Sequence, residues 1–274
     1  MPEPGHKPPG GLFARLAAMP NDSVGKMLLV TIMLSLVCSV LVSAAAVTLK
    51  PMQLRNVELA RKARILEVAG LMEPGRSIDE LFREVNPRLV ELDTGRFSDA
   101  FDPATFDQQI AARDPALSKA IPPWEDIAGI SRRADYAPVY LVESEGRIDK
   151  IILPVHGYGL WSTMYGFLAL SGDGTEVLGL TFYQHAETPG LGGEIENPRW
   201  LERWVGKQVY GPEGEVRLQV VRGSVEPGSE SADWSIDGIS GATLTADGVS
   251  NMVKYWLGER GFGPFLERLR EGGA

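Results

Sequence analysis

Residues 138–155 read PVYLVESEGRIDKIILPV. β-Branched and aromatic residues fill both ends of this stretch, and Glu145-Gly146 stands between them where a tight turn belongs. Strands over 139–142 and 147–155, joined as a hairpin, are therefore expected. A second pair follows over 165–170 and 176–184, turning at Ser171-Gly172-Asp173-Gly174, and 216–221 is a further strand candidate. Thr245 to Leu257 changes period: Val249, Met252, Val253 and Trp256 share one helical face, with Thr245 placed to cap the start.

Upstream, 53–71 has the spacing of a helix that stops at Glu73-Pro74-Gly75. Ser77-Ile78-Asp79-Glu80 then has the form of a capping box and opens a second helix expected to run to Pro87. Further back, Met27 to Leu49 carries neither charge nor proline between Lys26 and Lys50, long enough for the roughly 30 Å hydrocarbon layer. Ser43-Ala44-Ala45-Ala46 leaves open a cleaved signal peptide, although the run exceeds an h-region of about 7–15 residues. The expectation is one α+β domain hung from a single N-terminal transmembrane helix: tail 1–26, helix 27–49, helical connecting region 50–137, ligand-binding domain 138–260 and C-terminal tail 261–274. Flanking charges do not orient it, because Lys7, Arg15 and Lys26 face Lys50, Arg55, Arg61, Lys62 and Arg64 across the span.

A net charge of −9 argues against a nucleic-acid partner, which needs clustered Lys and Arg. Cys38 is the only cysteine and His6, His156 and His185 the only histidines, so neither a disulfide nor an iron–sulfur cluster is possible within the chain, and no metal site is expected. Any redox chemistry would have to come from an organic cofactor or a partner.

The sharpest motif is Asp237-Gly238-Ile239-Ser240-Gly241-Ala242-Thr243-Leu244-Thr245, just where the last long helix begins. Small residues let a bulky ligand approach the backbone, and amides at a helix start favour a phosphate. Thr243 adds a hydroxyl that a transferase can leave as a phosphoester. Equally, Ser-Gly-Ala-Thr serves as a plain turn feeding a helix.

The motif resembles the flavinylation motif of the sodium-pumping NADH:quinone reductase and a related electron-transport complex. Gly157-Tyr158-Gly159-Leu160-Trp161-Ser162-Thr163-Met164-Tyr165-Gly166 and His185-Ala186-Glu187-Thr188-Pro189-Gly190-Leu191-Gly192 are similar to segments of the same family, in matching order. Leu160 to Tyr165 and Asn197-Pro198-Arg199-Trp200 resemble the C-type subunit of the quinone reductase more than its G-type counterpart in the ferredoxin–NAD complex. The resemblance implies FMN esterified to Thr243, with Ser240, Gly241, Ala242 and Thr245 shaping the phosphate pocket. It also implies Leu160, Trp161, Glu187, Thr188 and Leu191 bordering the ring or ribityl chain, and leaves Lys207 a weaker candidate near the phosphate. Its further implications are a redox-driven translocase subunit passing single electrons from NADH-derived centres toward ubiquinone with sodium export, and a periplasmic FMN domain on a bacterial inner membrane. Its partners would be the other subunits, membrane lipid and a flavin transferase for maturation. An unflavinated membrane-anchored assembly module is the alternative of a different class.

Overall fold

The structure, a computed structural model, describes Pro20 and residues 23–272; the expected tail 1–26 lies almost wholly outside the described residues. The chain divides after Glu58 into two units. The first contains most of helix α1 (Val24–Val68), whose apolar run is long and apolar enough to cross a membrane by length and composition.

The second unit is built on six strands: β1 (Val85–Glu91), β2 (Arg96–Ser98), β5 (Tyr136–Ser144), β6 (Arg147–Tyr158), β7 (Thr163–Ser171) and β8 (Val177–Gln184). They form one antiparallel sheet in the order β2-β1-β5-β6-β7-β8. Two short pairs complete the set: β3 (Ser118–Ala120) with β4 (Arg132–Ala134), and β9 (Gln219–Val220) with β10 (Ser235–Ile236). The helices are α2 (Ile78–Leu81), α3 (Gln108–Ala111), α4 (Pro198–Leu201), α5 (Thr243–Leu257) and α6 (Gly263–Arg270).

Both hairpins form. Glu145 and Gly146 take φ of 52° and 75°, the left-handed pair that a two-residue hairpin turn demands. The central strands are buried on both faces, and successive residues divide between two cores. Ile151, Leu153 and Val155 pack with Val249, Met252, Val253 and Trp256 of α5. Ile152, Tyr140 and Phe167 pack with Ile65, Leu66 and Val68, the end of α1. The sheet is thus covered by a helix on each side, as an α+β layer structure requires.

Four expectations are corrected. The capping box at Ser77 is present, but its helix ends at Leu81, a 3₁₀ turn follows, and Pro87 lies inside β1. Proline is tolerated there because β2 pairs only with residues 89–91 of β1, leaving the stretch around Pro87 an effective edge. The connecting region 50–137 is accordingly not merely helical and peripheral, since it supplies β1 and β2 to the main sheet. The expected tail 261–274 contains α6, with Phe262, Phe265 and Leu266 in the core. Finally, within the candidate strand 216–221 only Gln219 and Val220 form a strand, parallel to β10, while Val216 makes an isolated antiparallel bridge to Tyr210.

Candidate functional site

The three motifs meet around one carboxylate. Glu187, only 4% exposed, lies in the loop after β8, and its two oxygens reach both other motifs. Oε1 accepts from the amides of Trp161 (2.9 Å) and Ser162 (3.1 Å), and Oε2 from the amide of Leu160 (3.2 Å) and the hydroxyl of Thr245 (2.6 Å). The turn between β6 and β7, the loop 185–192 and the start of α5 are therefore tied at a single point. Burial pushes the Glu187 carboxyl up, but the Thr245 hydroxyl and the three amides outweigh it and hold the group ionised below its ordinary range.

Glycines make this convergence possible. A Cβ on Gly192 would stand 2.6 Å from Thr245 Oγ1, one on Gly159 2.6 Å from Glu187 Oε1, and one on Gly248 2.5 Å from the Tyr158 carbonyl. Each would push the clamp apart. The clamp also changes the expected role of Thr245, which does not cap α5: the helix starts two residues earlier, at Thr243, and the Thr245 hydroxyl is committed to Glu187.

The N-cap of α5 is Ala242, which offers no side-chain hydrogen bond to the first turn. Thr243, the first helical residue, is exposed, as are Ser240 and Gly241, while Ala242 is buried. Gly241 takes φ of +75°, which favours glycine, and a Cβ there would lie 3.0 Å from Leu191 Cδ2, so Leu191 leans directly over the motif. Asp237 anchors the approach: its Oδ1 accepts from the Val225 amide at 2.6 Å, its carbonyl from the Trp200 indole at 2.8 Å, and its other oxygen pairs with Arg203.

Leu160, Trp161, Thr188 and Leu191 are all exposed on the two loops that Glu187 draws toward α5. Trp161, at 66%, is therefore not a core residue. Lys207 does not join them, because its ammonium donates to the Ala232 carbonyl at 2.6 Å. Asp237, Gly159 and Gly192 are contributors whose roles residue type alone did not disclose. The signal available was the clustering of glycines beside each motif. No group of His, Cys, Asp and Glu able to hold a metal occurs among the described residues.

Residues 159–258 match the FMN-binding domain family. Across 258 residues, covering 93% of this chain and 99% of the relative, the chain is 52% identical to the C-type subunit of the Na(+)-translocating NADH-quinone reductase of Pseudomonas aeruginosa. It is 49% identical over 92% of its length to the corresponding Yersinia pestis subunit, with 95% of that relative covered. The crystal structure of Shewanella oneidensis NqrC superposes with a TM-score of 0.72 at 32% identity, covering 79% of this chain and 99% of that one. These relatives favour the C-type subunit over the G-type counterpart of the related complex. With the three motifs gathered at Glu187 and relatives matched nearly end to end, the chain belongs to the NqrC family, the C-type subunits of the Na(+)-translocating NADH-quinone reductases.

Proposed function

We propose that this chain carries one FMN as a phosphoester on Thr243 and relays single electrons within a sodium-pumping NADH:quinone reductase. The observation that carries the covalent reading is the start of α5. There an exposed threonine hydroxyl stands first in a helix whose opening amides have no side-chain cap, after a run of small residues. Unpaired amides and a partial positive charge at a helix start favour an oxyanion, and a phosphate fits that donor set.

The neighbouring residues fit the rest of the group. Leu160, Trp161 and Leu191 offer exposed apolar and aromatic surface for a flat ring, and Thr188 a hydroxyl beside it. Ser240 and Gly241 leave room at the phosphate. Bound FMN supplies one-electron acceptance and donation. Glu187 acts without touching the ring: it fixes the amides of Leu160 to Ser162 and the first turn of α5 in one frame, so the apolar residues and the Thr243 oxygen keep a constant spacing. Formation of the ester replaces the Thr243 O–H by an O–P bond. A transferase brings the flavin phosphate in activated form, the activating group departs, and the hydroxyl proton goes to base.

The same reading puts the helix within 27–49 in a bacterial inner membrane, residues 1–26 in the cytoplasm and the FMN domain in the periplasm. A covalent link there prevents loss of the cofactor by dilution. Electrons arrive from NADH-derived centres in other subunits and leave toward ubiquinone. No acidic or basic side chain lies within 27–49, so sodium crosses elsewhere.

Intact mass of the chain from its native membranes tests the covalent claim. The expected value is the polypeptide plus one FMN less one water, with the adduct mapped to Thr243 and absent from Thr243→Val. A bare polypeptide mass overturns it and leaves the unflavinated assembly module. Labelling of a cysteine placed at Ser224 by an impermeant maleimide in spheroplasts tests the periplasmic side; labelling only after lysis overturns that placement.

A further inference from the structure

Trp124 is 80% exposed, the most exposed of the second unit's large hydrophobic side chains. It stands on a loop that is tied down, not loose. The Ile121 amide donates to the Ser131 carbonyl (2.9 Å) and closes the loop. Asp126 accepts from the amides of Ile130 (2.9 Å) and Ser131 (2.7 Å), Glu125 pairs with Arg260, and the Tyr158 amide donates to the Ala128 carbonyl (2.7 Å), pinning the loop to the end of β6. Ile127 (48%) and Tyr158 (47%) are exposed on or against the same loop.

Beside it opens a cavity of about 530 Å³ whose walls include Arg113, Arg132, His156, Tyr158 and Tyr165, with no carboxylate among the lining residues. In a chain of net charge −9 that is an unusual place. The Arg113 guanidinium has no ion-pair or hydrogen-bond partner among the described residues, and Arg132 uses two nitrogens on Ser118. His156 is buried, stacked on Tyr165 at 5.4 Å, and neither ring nitrogen has a hydrogen-bond partner among the described residues.

Exposed tryptophan, tyrosine and arginine held on an ordered frame have the composition of an interface centre, and a rigid anchor loses little entropy on docking. We infer that the loop Ile121–Ser131 and the adjoining arginine-lined cavity form a preformed docking surface for another subunit of the reductase, which receives Trp124 in an apolar recess and places a carboxylate side chain between Arg113 and Arg132. Charge complementarity selects the occupant: a cavity with two arginines and no acid takes an acidic side chain. A lipid surface suits it less, because Glu125 and Asp126 beside Trp124 repel anionic headgroups. The inference requires a multisubunit complex but not a flavin, and Tyr158 adjoins the Gly159–Ser162 turn, so docking here brings the partner up against the candidate site.

The test places a benzoylphenylalanine photocrosslinker at position 124 of the full chain in the assembled complex. A covalent adduct that mass spectrometry identifies as another reductase subunit is expected, and Arg113→Glu lowers its yield by about fivefold or more. The urea midpoint of the detergent-solubilised chain stays constant in both variants and serves as the folding control, independent of flavin. Adducts with lipid alone, no adduct, or an adduct insensitive to Arg113→Glu overturns the proposal. Failure of the covalent-FMN reading shows in the mass measurement and leaves this outcome untouched.

Discussion

The two helix starts at Ser77 and at Ala242 are built in opposite ways. Four-residue α2 has a complete reciprocal box: the Ser77 hydroxyl accepts from the Glu80 amide and the Glu80 carboxylate from the Ser77 amide. The fifteen-residue α5, which covers one face of the sheet, begins with no side-chain cap. Its Thr245 stands at the third helical position, where a capping box has its acid, and faces Glu187 from a distant loop. Local sequence closes the first start. At the second, tertiary structure supplies the carboxylate and the opening amides are left without a side-chain acceptor. On the reading proposed above, the open start at Ala242 is where the phosphate sits; α6, which also begins without a side-chain cap, shows that an open start needs the neighbouring motifs before it marks a ligand site.

Removing Glu187 breaks this contrast most severely. Glu187→Leu leaves the Thr245 hydroxyl without an acceptor in a buried place and the amides of Leu160, Trp161 and Ser162 without one in a partly buried place, at about 1–3 kcal/mol for each group that water does not reach. A loss of at least about 3 kcal/mol in urea unfolding of the detergent-solubilised chain is expected, with flavin incorporation lost as well. Unchanged stability would show that the clamp is dispensable.

Acid separates the clamp from the core behind it. His156 is buried between Tyr165 and Trp256, and desolvation lowers its pKa from 6.5 to about 4. The unfolded chain protonates this ring at higher pH than the folded chain does, so stability is flat above 6.5 and falls on acidification toward 4, by about 3 kcal/mol. Glu187 lies below its ordinary 4.5 when folded, so its contribution is complete above 4.5 and is lost only as pH drops further. His156→Leu should flatten the first window and Glu187→Gln the second. A single slope removed by either variant would mean that the two regions titrate as one.

Ser77→Ala is the milder test. It costs about 1 kcal/mol, typical of a lost N-cap, and leaves flavin content unchanged because α2 lies in the other core, against Ile65 and Tyr140. Loss of flavin with this variant would mean that general destabilisation, and not the open helix end, limits incorporation.

Much of this architecture is legible in the residues themselves. Glu145-Gly146 can form a two-residue turn of the right hand, and the 3.6-residue spacing of Val249, Met252, Val253 and Trp256 has one cause, a single buried face. Strand β1 is hidden by Pro87, a residue that stops a helix and is accepted in a strand only where a neighbour is missing, a fact of topology. Helix α6 is hidden by Gly258, Gly261 and Gly263, which read as a tail. Their backbones in fact approach others so closely that a Cβ would collide, at 2.3 Å from the Trp256 carbonyl for Gly261. The motifs can be picked out singly. That a carboxylate after β8 binds three consecutive amides after β6 depends on which loops the sheet order brings together, and no local pattern encodes that.

The smallest effect distinguishes an open helix end from a merely uncapped one. Ala242→Ser places a hydroxyl at the N-cap, where serine exceeds alanine by about 0.5–2 kcal/mol in favourable geometry. The backbone here, φ −131° and ψ 41°, departs from the usual extended N-cap, so a gain near the low end, about 0.5 kcal/mol, is expected. That gain should appear in the Thr243→Val background, where the opening amides face only water. In the flavin-bearing chain it should vanish, because a phosphate on Thr243 already accepts from the same donors. A double-mutant cycle on urea midpoints measures the difference. Equal gains in both backgrounds would mean that the ester does not engage the helix start, and that the missing cap at Ala242 is an accident of sequence instead of the seat of the cofactor.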